Sequence, residues 1–154
     1  MKTIQLTQGK FAIVDDQDYK NLLFCSWSMS GNGDVQAWIN GGMISLHRYL
    51  MGKKIGFEID HVNGNKLDNR RKNLRFCSRH QNSANKNKYS TNTTGFKGVT
   101  WEKQINKFAA RITFKYKNIT LGRFNTAIEV ARAYNKAAVK YFGEFARLNE
   151  ISND

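Results

Sequence analysis

Four residues have types and spacing that suit one reaction: Asp60, His61, Asn73 and Asn82. Hydrolysing a phosphodiester with a metal ion needs a base to take a proton from water. It also needs a hard cation, held by oxygen ligands, beside the phosphate and the leaving oxygen. An imidazole suits the first task near neutral pH, which is the role open to His61. Carboxylate and amide oxygens suit the second, which fits Asp60 and Asn82. Asn73 stands where the intervening loop returns and can hold that loop and orient His61. His80 is an alternative second ligand to Asn82, and His47 and Asn85 are further candidates near the centre. His47 suits packing or capping of a helix equally well. The plain alternative for the whole stretch is a long polar loop, because asparagine favours turns and caps over helix interiors.

The elements that must position these residues follow from local pattern. "FEIDHV" reads as a strand, "NGNKLDNRRKN" as a loop with a tight turn at Asn63-Gly64, and "LRFCS" as a second strand. Ser78 then caps a helix over "RHQNSANKN". A strand that ends at Asp60-His61 lets both side chains approach one centre, although successive strand residues otherwise point to opposite faces. Upstream, "FAIV" and "VQAWI" read as strands. Asp16 caps a helix over "QDYKNLLFCSW", and "MISLHRYLMG" runs from a strand into a short helix stopped by Gly52. Trp27, Trp38 and Trp101 are core or sheet-packing residues on this reading.

Downstream, "KYSTNTTG" is small, polar and without periodicity, as in a linker. "GVTWEK", "KFAARITF" and "ITLGRF" are three strand-like runs. "NTAIEVARAYNKAAVKYFG" is an amphipathic helix with Thr126 as its cap, Gly143 as its stop and an apolar stripe through Ile128, Ala131, Tyr134 and Ala138.

The 154 residues carry 25 Lys+Arg against 12 Asp+Glu, a net charge of +13. The excess is uneven. Residues 1–50 hold four of each sign, residues 51–95 ten basic against three acidic, and residues 96–154 eleven against five. Such a field calls for a polyanionic partner; no small-molecule substrate is expected. The two cysteines, Cys25 and Cys77, form no Cys-x-x-Cys pair, which argues against structural zinc and fits a reducing, cytoplasmic compartment. "MKTIQLTQGKFAIVDD" has no continuous apolar run, so no membrane anchor is expected there.

"IDHVNGNKLDNRRKNLRFCSRHQN" resembles the HNH motif of His-Me finger endonucleases of the phage and intron homing type. More loosely, "LTQGKFAIVDDQDY" and "LHRYLMG" resemble segments that precede it. The resemblance implies an α+β chain whose residues 1–88 form the nuclease domain. Within it, residues 1–55 are strands and short helices, and residues 56–88 are the ββα-metal fold. It implies His61 as general base, Asp60 and Asn82 as ligands of one divalent cation (Mg2+, with Mn2+ as the alternative), and Asn73 as the residue that fixes the loop.

Beyond a linker at 89–95, "GFKGVTWEKQINKFAARITFKYKNITLGRFNTAIEVARAYNKAAVKYFGEFARLN" resembles the Apetala/ethylene-response-factor DNA-binding domain. That family lays a three-stranded antiparallel sheet, packed on one helix, in the DNA major groove. The domain is expected over residues 96–150. Its reading face would carry Arg111, which suits guanine, with Thr113, Asn118 and Thr120. Lys97 and Lys107 would contact phosphates, as would Arg70, Arg71 and Arg75 in the first domain. The expectation is therefore a site-directed, metal-dependent endonuclease of double-stranded DNA, phage- or intron-encoded. The alternative is a non-catalytic DNA-binding regulator whose nuclease motif has decayed. RNA cleavage ranks last, because no aromatic stacking pattern is visible. Cutting both strands with one centre requires a dimer or two visits, so monomer and dimer both fit.

Overall fold

The computed structural model describes residues 1–88 and 91–151. The chain divides into two compact units, Met1–Arg79 and His80–Asp154. The division falls at the first turn of the motif helix, upstream of the boundary expected at residue 88. Residues 89 and 90 of the expected linker lie outside the described residues.

The first unit is made of small antiparallel sheets. β1 (Lys2–Gln5) pairs with β2 (Phe11–Val14). β3 (Ser28–Met29), β4 (Val35–Ile39) and β5 (Gly42–Ser45) form a meander. Its turn at Asn40-Gly41 uses positive φ at both residues, the backbone that asparagine and glycine tolerate best. Alternation on β4 sends Val35 and Ala37 inward, where they join Ile4, Leu6, Ala12, Val14, Leu22, Trp27, Leu46, Leu50 and Leu74 in one core. The same alternation leaves Trp38 66% exposed, so it is not the packing residue expected.

The expected helix over 17–27 is much shorter. α1 covers Asp16–Tyr19 and continues as a 3-10 turn only to Leu22, with Asp15 rather than Asp16 in the cap position. Tertiary demand ends it. The Trp27 indole donates to the Leu22 carbonyl at 2.8 Å, and Trp27 bridges Leu6 as a strand would. α2 (Leu46–Met51) follows β5 directly and stops at Gly52, φ 75°. β6 (Glu58–His61) and β7 (Leu74–Cys77) form an antiparallel hairpin around the 62–73 loop.

α3 (Arg79–Asn85) opens at the unit boundary and lies in the second unit from His80 on. β8 (Val99–Glu102), β9 (Lys107–Phe114) and β10 (Lys117–Phe124) form an antiparallel sheet with β9 in the centre. α4 (Ala127–Phe142) starts in a full capping box between Thr126 and Glu129 and ends at Gly143. Val99, Ala110, Val130 and Ala131 form one buried cluster, and Ile112, Tyr134, Ala137 and Ala138 a second. Gly98 is required here. It sits at φ 75°, and a Cβ on it would lie 2.1 Å from the Tyr134 ring and 2.8 Å from the Arg111 carbonyl oxygen. Ala109 lies on the sheet face away from the helix yet is fully buried, as a methyl group between two flanking strands can be. Cys25 and Cys77 are free thiols. No helix among the described residues is long and apolar enough to cross a membrane.

Candidate functional site

β6 ends at His61, which places Asp60 and His61 together at the mouth of the loop, each 6% exposed. Pairing in register sets Asp60 opposite Arg75 and His61 opposite Leu74. The cross-strand charges meet: Arg75 Nε and Nη2 both donate to Asp60 Oδ2, at 3.1 and 2.9 Å.

His61 Nε2 lies 3.3 Å from Asn69 Oδ1. Asn69 is 1% exposed, and its Nδ2 donates to the Lys66 carbonyl at 3.0 Å, which fixes the amide orientation. An acceptor at Nε2 places the imidazole proton there and leaves the lone pair on Nδ1. Burial pushes the His61 pKa below the ordinary imidazole value, against the opposing pull of the Asn69 bond and of Asp34 and Asp60. The His47 ring stands edge-on to His61, centroids 5.4 Å apart. His47 Nε2 is 3.1 Å from Ser45 Oγ, while its buried Nδ1 has no partner. Burial first, then the nearby His61, lowers its pKa to about 4. Two neutral imidazoles therefore face each other near neutral pH.

The asparagines that crowd the loop are its internal wiring. Asn73 Oδ1 accepts from the Asn63 backbone N–H at 3.0 Å, and Asn73 Nδ2 donates to the Asp68 carbonyl at 2.7 Å. The side chains of Asn63 and Asn65 each accept from the backbone N–H two residues on. Asn63 Nδ2 donates to Asp68 Oδ2 at 3.0 Å. The loop also docks on β2 through Ile13 N–H to Leu67 O and Asn69 N–H to Ile13 O.

The three arginines expected on phosphate, Arg70 and Arg71 in the loop and Arg75 on β7, are paired with carboxylates. Arg70 forks onto Asp68 at 2.7 and 2.6 Å, Arg71 onto Asp18 at 2.9 and 2.9 Å, and Arg75 holds Asp60. Asp68 and Asp18 are buried, and a buried carboxylate demands such a partner.

Asn82 lies in α3 and so belongs to the second unit, with His80 and Asn85. His80 stands edge-on to Tyr116, centroids 4.4 Å apart, and Asn85 is buried. No group of three His, Cys, Asp or Glu side chains gathers among the described residues. The Asp60 carboxylate and the Asn82 amide oxygen are each a ligand type that Mg2+ accepts, since Mg2+ commonly keeps its waters and takes one or two carboxylates with substrate phosphate.

On the second unit, cross-strand register places Thr100, Glu102, Lys107, Arg111, Thr113, Asn118, Thr120 and Arg123 on the sheet face away from α4. Glu102 ion-pairs with both Arg111 and Arg123, the latter at 2.6 Å. Arg123 escapes a sequence reading because a bulge between Thr120 and Gly122 reverses the alternation; the glycine after Leu121 is the signal that marks it. Thr113 Oγ1 donates to Asn118 Oδ1 at 2.6 Å, and Lys107 bonds Asn125. Lys97 is not on this face. Its ammonium donates to the carbonyls of Ala84 and Lys86, at 2.5 and 2.6 Å, at the end of α3. Burial lowers its pKa to about 8, so the phosphate role expected of it gives way to a helix-capping one.

A family model described as "HNH endonuclease" matches residues 54–84. The chain is 32% identical over 152 residues to an uncharacterized HNH endonuclease of Acanthamoeba polyphaga mimivirus, covering 94% of this chain and 77% of that protein. It is 32% identical over 92 residues to Protein 3.8 of Escherichia phage T7, covering 60% of this chain and 75% of that one. It is 37% identical over 59 residues to an AP2-like ethylene-responsive transcription factor of Arabidopsis thaliana, covering 38% of this chain and 12% of that protein. No solved structure matches.

Proposed function

We propose that this chain, which belongs to the HNH endonuclease family, is a site-directed, metal-dependent endonuclease of double-stranded DNA, of the homing type. The observation that carries the reading is the buried Asp60-His61 pair at the end of β6, with His61 Nε2 3.3 Å from Asn69 Oδ1.

His61 Nδ1 takes a proton from water, and the hydroxide attacks the phosphorus in line with the bond to the 3′ oxygen. That bond breaks, its electrons leave on the 3′ oxygen, and that oxygen takes up a proton from solvent. The products are a 5′-phosphate and a 3′-hydroxyl. Burial keeps His61 in the neutral form that can accept the proton. Asn73 keeps the loop, and so the base, in place. Asp60 and Asn82 are the residues that would hold a divalent cation, Mg2+ or Mn2+, which when bound supplies positive charge beside the phosphate and the leaving oxygen.

The outward face of the second unit supports a role in target choice. Apart from the buried Ala109 it is polar, and Glu102 holds Arg111 and Arg123 side by side. Arg111 and Arg123 are the groups suited to guanine, with Thr113, Asn118 and Thr120 beside them and Lys107 toward phosphate.

The test is plasmid cleavage with Mg2+, with and without chelator. His61→Ala should slow cleavage roughly 10²–10⁴-fold, the range for losing a general base, with DNA affinity retained. A His61→Ala protein that cuts like the parent sinks the assignment. A parent that binds DNA and never cuts it points to the non-catalytic regulator.

A further inference from the structure

With Arg70, Arg71 and Arg75 committed to carboxylates, the first unit needs another source of phosphate contacts if it grips DNA. A pocket of about 320 Å³ beside the β6–β7 hairpin is lined by Arg48, Lys53, Lys54, Phe57, Ile59 and Phe76, among others, and no acidic residue lines it. Arg48 lies on α2, next in sequence to His47. Lys53 and Lys54 follow the Gly52 stop. All three cations are exposed, and among the described residues none makes an ion pair. The Lys54 ammonium rests 4.3 Å from the centroid of the half-exposed Phe57 ring and 5.7 Å from that of Phe76.

The hairpin register says where this pocket faces. Ile59 pairs with Phe76 and His61 with Leu74. Alternation puts Ile59 and His61 on the same face of β6, separated by two residues, or about 7 Å along the strand. A strand of nucleic acid whose reacting phosphate sits at His61 thus has neighbouring phosphates within reach of the pocket.

We propose that this pocket is the backbone-binding subsite of the first unit: Arg48, Lys53 and Lys54 grip the phosphodiester backbone of duplex DNA flanking the cut position. The proposal rests on the reading of the chain as a DNA endonuclease. Its occupant follows from charge complementarity, since three unpaired cations around one concavity match consecutive phosphates and little else of comparable charge density.

The test uses the full chain, in chelator so that nothing is cut, and a 5′-labelled duplex of about 30 bp. Binding is followed by fluorescence anisotropy from about 50 to 300 mM salt. Each phosphate contact contributes about 0.9 to the slope of log affinity against log salt. The triple variant Arg48→Gln, Lys53→Gln, Lys54→Gln should therefore lower the magnitude of the slope by about two to three. A control triple, Lys2→Gln, Lys10→Gln, Lys20→Gln, removes the same charge elsewhere on the same unit and should lower it by less than about one. All six residues lie outside the buried core, and far-UV circular dichroism checks that both variants fold. If the two triples shift the slope equally, or the pocket triple leaves it unchanged, the subsite is overturned, including in favour of an acidic protein partner for the same cations. That outcome leaves the endonuclease reading standing if the parent still cuts plasmid with Mg2+. A parent that neither binds nor cuts DNA removes both.

Discussion

Replacing Asn69 with leucine should separate the stability of the loop from the reactivity of its base. The substitution keeps the branched heavy-atom shape of a side chain that is 1% exposed and removes both of its amide contacts. One is the acceptor 3.3 Å from His61 Nε2, and the other is the donor 3.0 Å from the Lys66 carbonyl. Each is a neutral hydrogen bond worth about 1 kcal/mol, and each leaves a partner stranded at about 1–3 kcal/mol. Added apolar packing offsets part of this, so the first unit should lose about 2–4 kcal/mol. Without the Asn69 oxygen, His61 loses the contact that favours a proton on Nε2. Losing about 1.4–2.7 kcal/mol of pre-organisation lowers the rate about 10- to 100-fold. The assay is single-turnover nicking at saturating DNA and Mg2+, which reads the rate of the bound state rather than affinity. Asn69→Asp keeps an oxygen acceptor and should recover to within about tenfold of the parent. A merely structural Asn69 would not distinguish the two variants in this way. A folded Asn69→Leu protein that nicks at the parental rate refutes the argument.

Two further outcomes follow from the same geometry. Gly98→Ala should destabilise the second unit by more than about 2 kcal/mol in urea unfolding, since a left-handed backbone alone costs about 1–2 kcal/mol and the new Cβ would lie 2.1 Å from the Tyr134 ring. A loss below about 1 kcal/mol would contradict that packing. On acidification, His47 titrates at about 4 when folded and near 6.5 when unfolded, so the unfolded chain binds the extra proton between those values. Stability of the first unit should hold above pH 6.5 and fall as the pH drops toward 4. His47→Gln should flatten that fall in urea midpoints, and a parent whose midpoint is level or rises on acidification contradicts the assignment.

Local pattern carried far where one residue's neighbours decide its state. The capping box at Thr126 and Glu129, the stop at Gly143 and the β9 alternation of Phe108, Ala110 and Ile112 against Arg111 and Thr113 are all legible in the chain. Asn73, at the loop's return, bonds the Asn63 N–H and the Asp68 carbonyl. The pairing of Arg71 is not legible in the chain because Asp18 lies 53 residues away, and charge counts in a window cannot show that; Asp68 lies only two residues from Arg70, but a charge count does not say that the two side chains fork together. Asn69 was hidden among similar asparagines, and only the fold shows which amide meets the imidazole. Arg123 was lost to a single bulge, because period-two reasoning carries one inserted residue to the end of the strand.

The Lys97 ammonium on the carbonyls of Ala84 and Lys86 sets a limit on how this gene can be shuffled. A recombination joint in the polar 88–95 stretch looks innocuous in the sequence. It would leave the helix that carries Asn82 on one side and the lysine that caps it on the other. The segment inherited as a working whole runs instead from about Arg79 onward, so the motif helix travels with the downstream sheet. A chimaera that exchanges the downstream region between relatives should keep its motif helix anchored only when the crossover lies upstream of that helix, or when the donor brings its own lysine at the position of Lys97.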